Sequence, residues 1–74
     1  MNDRNGVKIV VGDAVKIRDT GSVLIVREID AAWPKSLTQM CRCDNAKNEA
    51  DSNAKRYTHA AWCTSQEIEK ASKP

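Results

Sequence analysis

Apolar and polar residues alternate along Ala14-Val15-Lys16-Ile17-Arg18, so Val15 and Ile17 share one side of an extended segment and Lys16 and Arg18 the other. A period of two marks a half-buried antiparallel strand. Upstream, Val7-Lys8-Ile9-Val10-Val11 is β-branched and starts with the same alternation, which predicts another short strand before Gly12-Asp13 punctuates the chain. Asp19-Thr20-Gly21-Ser22 reads as a turn, with Gly21 able to supply a positive φ. Val23 to Ile29 is the strongest strand pattern; its nearly continuous apolar start predicts a central position, covered on both faces at one end. Asp30 to Ser36 is a loop, because Pro34 removes a backbone donor and pushes Trp33 towards an extended conformation. Leu37 to Asp44 predicts the next strand, with Leu37, Gln39, Cys41 and Cys43 on one face.

The pattern weakens afterwards. Asn45 to Ala54 holds no large apolar residue. A short helix would fit there, but Asn, Asp and Ser favour local turns, so a solvated hairpin loop is the expectation. Lys55-Arg56-Tyr57-Thr58 predicts a short fourth strand. Thr64-Ser65-Gln66-Glu67 has capping-box spacing and predicts a helical or 3-10 turn over about 64–69. Trp62 is expected to close the base of the core and Ile68 to dock the C-terminal segment. Both termini, before about residue 7 and after about residue 69, are polar and expected to fray.

Length then restricts the picture. The chain has 74 residues, enough for one domain over 1–74 and no more. A domain this small is marginal on burial alone and gains from a metal, a disulfide or self-association. There is no Phe, one Tyr and two Trp, so Val, Ile, Ala and Cys must supply most of the core. The net charge of +2 is weak, and residues 1–30 balance their basic and acidic groups. A protein that grips a phosphate backbone usually carries a stronger basic footprint. No apolar run reaches membrane-spanning length. The three cysteines, Cys41, Cys43 and Cys63, suit reduced thiols and a cytoplasmic setting better than a disulfide framework.

Val11-Gly12-Asp13-Ala14-Val15-Lys16-Ile17, then Thr20-Gly21, then Val23 to Ile29, resembles the opening of SH3-like barrels, including KOW-type modules. More narrowly, the chain resembles small uncharacterised bacterial domains. Their shared pattern would here be Gly12-Asp13, Val15 and Ile17, Gly21, Val23 to Ile29, Cys41 and Cys43, Trp62 and Ile68. The resemblance covers roughly residues 9–69 and implies an all-β, five-stranded SH3-like barrel with a short helical or 3-10 turn near its C-terminal end. It departs from the pattern at Thr20-Gly21, where a Gly-Gly turn is usual, and in the longer loop at 45–54. It brings no biochemical activity. Plasmid-borne type II dihydrofolate reductases are SH3-like barrels of similar size, but their Val-Gln-Ile-Tyr motif is absent.

Three residue sets carry candidate chemistry. Trp33, Lys35 and Tyr57 are candidates for a protein partner, since Trp is enriched at binding hot spots and loops often carry function. Lys16, Arg18, Arg42, Lys55 and Arg56 form a candidate nucleic-acid stripe, against a bland reading as solvated charge among Asp13, Asp19 and Glu28. Cys41-x-Cys43 and His59-x-x-x-Cys63 supply the three thiolates and one imidazole of a tetrahedral zinc shell. Cys-x-Cys is an unusual zinc knuckle, however, and free Cys commonly packs as a small hydrophobe, so no cofactor is the first expectation and zinc the alternative. With one His, no Gly-rich phosphate loop and no framed carboxylate pair, catalysis has little support. The leading expectation is therefore a small non-catalytic binding or regulatory module, of the sort carried by phages, plasmids or gene cassettes, with a protein partner. Its alternatives are a nucleic-acid-binding KOW-like barrel using a basic strand face and a zinc-stapled structural domain, and self-association into a homo-oligomer fits either.

Overall fold

A computed structural model describes residues 1–30 and 39–71. In chain order the elements are β1 (Ala14–Ile17), β2 (Val23–Ile29), β3 (Met40–Asp44), α1 (Glu49–Asn53), β4 (Ala60–Thr64), a 3-10 turn (Ser65–Glu67) and β5 (Ile68–Lys70). The five strands form one antiparallel sheet in the order β4-β3-β2-β1-β5, an all-β architecture with β2 at its centre. Gly21 takes the positive φ its turn requires, at 72°.

The strands form where their alternation can be buried. Val15 and Ile17 of β1, Leu24 and Val26 of β2, Cys41 and Cys43 of β3, Cys63 of β4 and Ile68 of β5 meet in one interior with Ile9. Among the described residues no second apolar layer covers them, since the one buried residue of α1 is Ser52. The sheet curls over its apolar face, bringing Ile17 and Leu24 to border one cleft with Ala60 and Ala61. β4 and β5 sit at its edges, joined through the 3-10 turn and not by a ladder. The register slips between Val26 and Glu28, which makes Arg27 the extra residue of a bulge in β2.

Several expectations are corrected. Val7 to Val11 is not a strand: only an isolated Asn2–Lys8 bridge forms, and Val7, Val10 and Val11 are exposed while Ile9 alone turns inward. β2 is covered on one face throughout, with Val23 exposed and Ile25 half-buried. The loop at 45–54 contains α1, whose start is capped by Asn48 Oδ1 accepting from Asp51 N at 2.8 Å. Residues 55–58 form no strand; Lys55 sits at φ 59°, where the backbone turns away from the helix. The fourth strand comes later, at Ala60–Thr64. Trp62 does not close the core and is 47% exposed. The expected capping box is present, Thr64 N donating to Glu67 Oε1 at 3.0 Å, and Ile68 is fully buried as expected. Near the termini, Asp3 is buried and accepts from Lys70 N, while residues 72–74 of the expected fraying end lie outside the described residues.

Candidate functional site

Asp44, at the end of β3, is the most connected polar group. It lies on the outer face with Arg42, yet it is fully buried because α1 folds over it. Asp44 Oδ1 accepts from Arg27 Nε and from Ala46 N, each at 3.0 Å. Asp44 Oδ2 accepts from Arg42 Nη1 at 3.1 Å and from Ser52 Oγ. Arg27 also donates from Nη2 to Ala46 O at 2.7 Å, so the bulge that places Arg27 clamps the start of the β3–α1 connection. Burial pushes the Asp44 carboxyl up, but the hydrogen bonds from Ser52, Arg27 and Ala46 outweigh it and hold the group below its ordinary value. Asp3 shows the same balance: burial raises it, and backbone donors at Lys70, Val7 and Asn5 bring it below the ordinary range. Both carboxylates are engaged by hydrogen bonds within the fold.

The thiols are sealed. Cys41 and Cys43 are fully buried, with their sulfurs 3.6 Å apart, and Cys63 pairs across the ladder with Cys41. Contact with Cys41, together with burial, pushes the Cys43 thiol far up, and burial pushes Cys63 up to about 11. His59 does not join them. It is exposed, outside β4, with Nδ1 3.0 Å from Thr58 Oγ1. The helical spacing that would have aligned His59 with Cys63 is absent because Cys63 lies in a strand. Among the described residues, no group of three or more His, Cys, Asp or Glu has metal-holding geometry.

The remaining candidates fall apart from one another. Lys16 and Arg18 are exposed on and just beyond β1, and Lys55 and Arg56 are exposed after α1. Arg42 is committed to Asp44, with Glu28 a further 3.7 Å from its Nε, so its charge is offset where it stands. Trp33 and Lys35 lie outside the described residues. Tyr57 is half-buried beside Thr58. Among the described residues no helix is long and apolar enough to cross a membrane.

Two clefts differ in character. One of about 220 Å³ lies beside the bulge and is bordered by Arg27, Arg42 and Glu49. The other, of about 240 Å³, opens between the β1–β2 turn and the start of β4. Ile17, Leu24, Ala60 and Ala61 give it an apolar lining, and Thr20, Ser22, Thr58 and His59 give it a polar one. Among the described residues no Lys, Arg, Asp or Glu borders it. Ile17 and Leu24 reach Ala60 and Ala61 only because the sheet curls, since two strands separate β1 from β4.

The sequence reading missed Asp44, Ser52 and this cleft. Arg42-x-Asp44 places opposite charges on one side of a strand, which signals a pair, but nothing in it shows that α1 will cover them. No family model, curated protein or solved structure matches this chain.

Proposed function

We propose that this protein is a small non-catalytic protein-binding module on the SH3-like plan, which holds a neutral apolar side chain of its partner in the cleft between the β1–β2 turn and β4. The strand order, with β5 returning to β1 after a 3-10 turn, supports that plan. The observation that carries the reading is a cleft lining that, among the described residues, holds apolar groups and hydroxyls but no Lys, Arg, Asp or Glu. An aliphatic or aromatic side chain entering it strips water mainly from hydroxyls and methyls, and no Lys, Arg, Asp or Glu among the described residues has to be desolvated. Burial of Asp44 and of the three thiols favours binding over catalysis, because these groups already serve the fold.

Selection of random peptides against the purified protein tests this reading. Recovered peptides should share a neutral apolar anchor, and Ser22→Arg should abolish their binding by placing a long cation at the cleft. Ser22 lies outside the strands, so unchanged circular dichroism would show the fold intact. Peptides that bind the folded variant as well as the wild type would overturn the proposal.

A further inference from the structure

The two edges of the sheet are finished differently. Arg18 N donates to Glu67 O and Ala71 N to Ala14 O, so the alternation of an antiparallel ladder turns the backbone groups of Ile68 and Lys70 away from β1. The N-terminal segment covers them: Arg4 N donates to Ile68 O at 3.0 Å, and Lys70 N donates to Asp3 Oδ2 at 2.8 Å. β4 is the opposite case. Asn45 N donates to His59 O, so by the same alternation Ala61 and Cys63 face β3 while Ala60, Trp62 and Thr64 turn their backbone groups outward. Glu67 Oε1 takes the Thr64 N–H. Among the described residues nothing takes the backbone groups of Ala60 and Trp62. Exposed edges are commonly protected by charge, proline or a bulge. Ala60-Ala61-Trp62-Cys63-Thr64 has no charge and no proline, its register with β3 is unbroken, and it carries a half-exposed tryptophan.

We propose that β4 is the interface with a second copy of this chain, joined by antiparallel β4–β4 pairing about a two-fold axis at Trp62. In that register the Trp62 N–H and C=O bond their counterparts, and the Ala60 N–H meets the Thr64 C=O of the second copy. The two Trp62 side chains lie opposite each other on the outer face, each beside its own Arg42. An uncharged strand meets no like-charge repulsion from its own copy. The covered β5 edge makes a second copy the fitting occupant and also limits the assembly. Head-to-tail addition of β4 to the next molecule's β5 is obstructed by the N-terminal segment, so pairing closes at two.

Sedimentation velocity over a wide concentration range should show a monomer–dimer equilibrium. Trp62→Lys, which sets two cations opposite each other, should weaken it by about tenfold or more, since a central Trp is commonly a binding hot spot. Ser22→Arg should leave it unchanged, which separates this interface from the cleft. Hydrogen exchange supplies a second readout in the unaltered protein: the Trp62 amide should gain protection as concentration rises. In a mixed-label sample, Ala61 Hα and Cys63 Hα of different copies should give a nuclear Overhauser contact. A protein that stays monomeric at the highest concentration would overturn the proposal. So would a dimer that Trp62→Lys leaves intact, or one whose Trp62 amide exchanges as in the monomer.

Discussion

Asp44 shows how one carboxylate can hold a connection that carries no apolar residue of useful size. Removing it with Asp44→Ala leaves Arg27 and Arg42 short of their common partner, and Arg27 is the more buried of the two. Breaking a buried pair from one side typically costs about 3–5 kcal/mol. Because the native carboxyl titrates below the ordinary 3.8, the network contributes fully above that value, and its contribution is lost as pH falls through the lower native value. Urea unfolding should therefore show a large wild-type advantage over Asp44→Ala at neutral pH. The gap should narrow once the pH drops below the range in which Asp44 is ionised in the fold. A constant gap across that range would rule out the carboxylate as its source. At this scale the sequence was legible for the inward residues: Val15, Ile17, Cys41 and Cys43 point as their alternation says, and Ile68, the one large apolar residue after Trp62, docks in the core. It was silent on Asp44, because the partners Arg27 and Ser52 lie 17 and 8 residues away and reach it through a bulge and a helix. The burial of Trp62 was misjudged because size argues for a core position, whereas its register with Arg42 puts it on the outer face.

Among the elements, those fixed by local chemistry were the most legible. β1, the Gly21 turn and β2 follow from alternation and one positive φ. The 3-10 turn follows from Thr64 and Glu67, whose reciprocal bonds form within four residues. Thr64→Ala should therefore cost about 0.5–2 kcal/mol, the usual loss for a capping hydroxyl. Part of that loss should appear as faster amide exchange in β5, which the turn delivers to β1. Thermal unfolding with residue-resolved exchange would check both, and an unchanged β5 would show that the strand does not depend on the cap. Legibility was poorest between β3 and β4. Lys55 to Thr58 has strand-forming residues, but α1 ends just before it, and Lys55 N and Arg56 N are spent on Ser52 O and Asp51 O. Pairing resumes only at Ala60, across from Asp44. Tertiary demand overrides propensity here. Val7 to Val11 failed as a strand for a related reason: the hydrogen bonds of its neighbourhood go to Asp3, Asp13 and Met1, which leaves no continuous ladder.

For the whole molecule, the sequence established the class, a small all-β domain built on compact aliphatic and thiol side chains, but not how a five-stranded sheet finds cover where, among the described residues, no second apolar layer is present. Curling resolves that problem, and the Cα radius of gyration, 11.8 Å, is close to the roughly 11 Å expected for a compact chain of this length. Curling also creates the cleft, which no local pattern could reveal because it joins β1 and β2 to β4 across two connections. The bond from Lys70 N to Asp3, spanning 67 residues, has a consequence of another kind. It holds the beginning and the end of the described chain side by side, so the order in which the strands are synthesised is separable from the way they assemble. A short glycine–serine bridge across that junction, with new ends opened in the exposed stretch at Lys55 and Arg56, should yield a circular permutant with a native-like amide spectrum. The same closeness lets the unit be spliced into a surface loop of a host protein, entering and leaving at nearly one point and leaving the host's own path undisturbed.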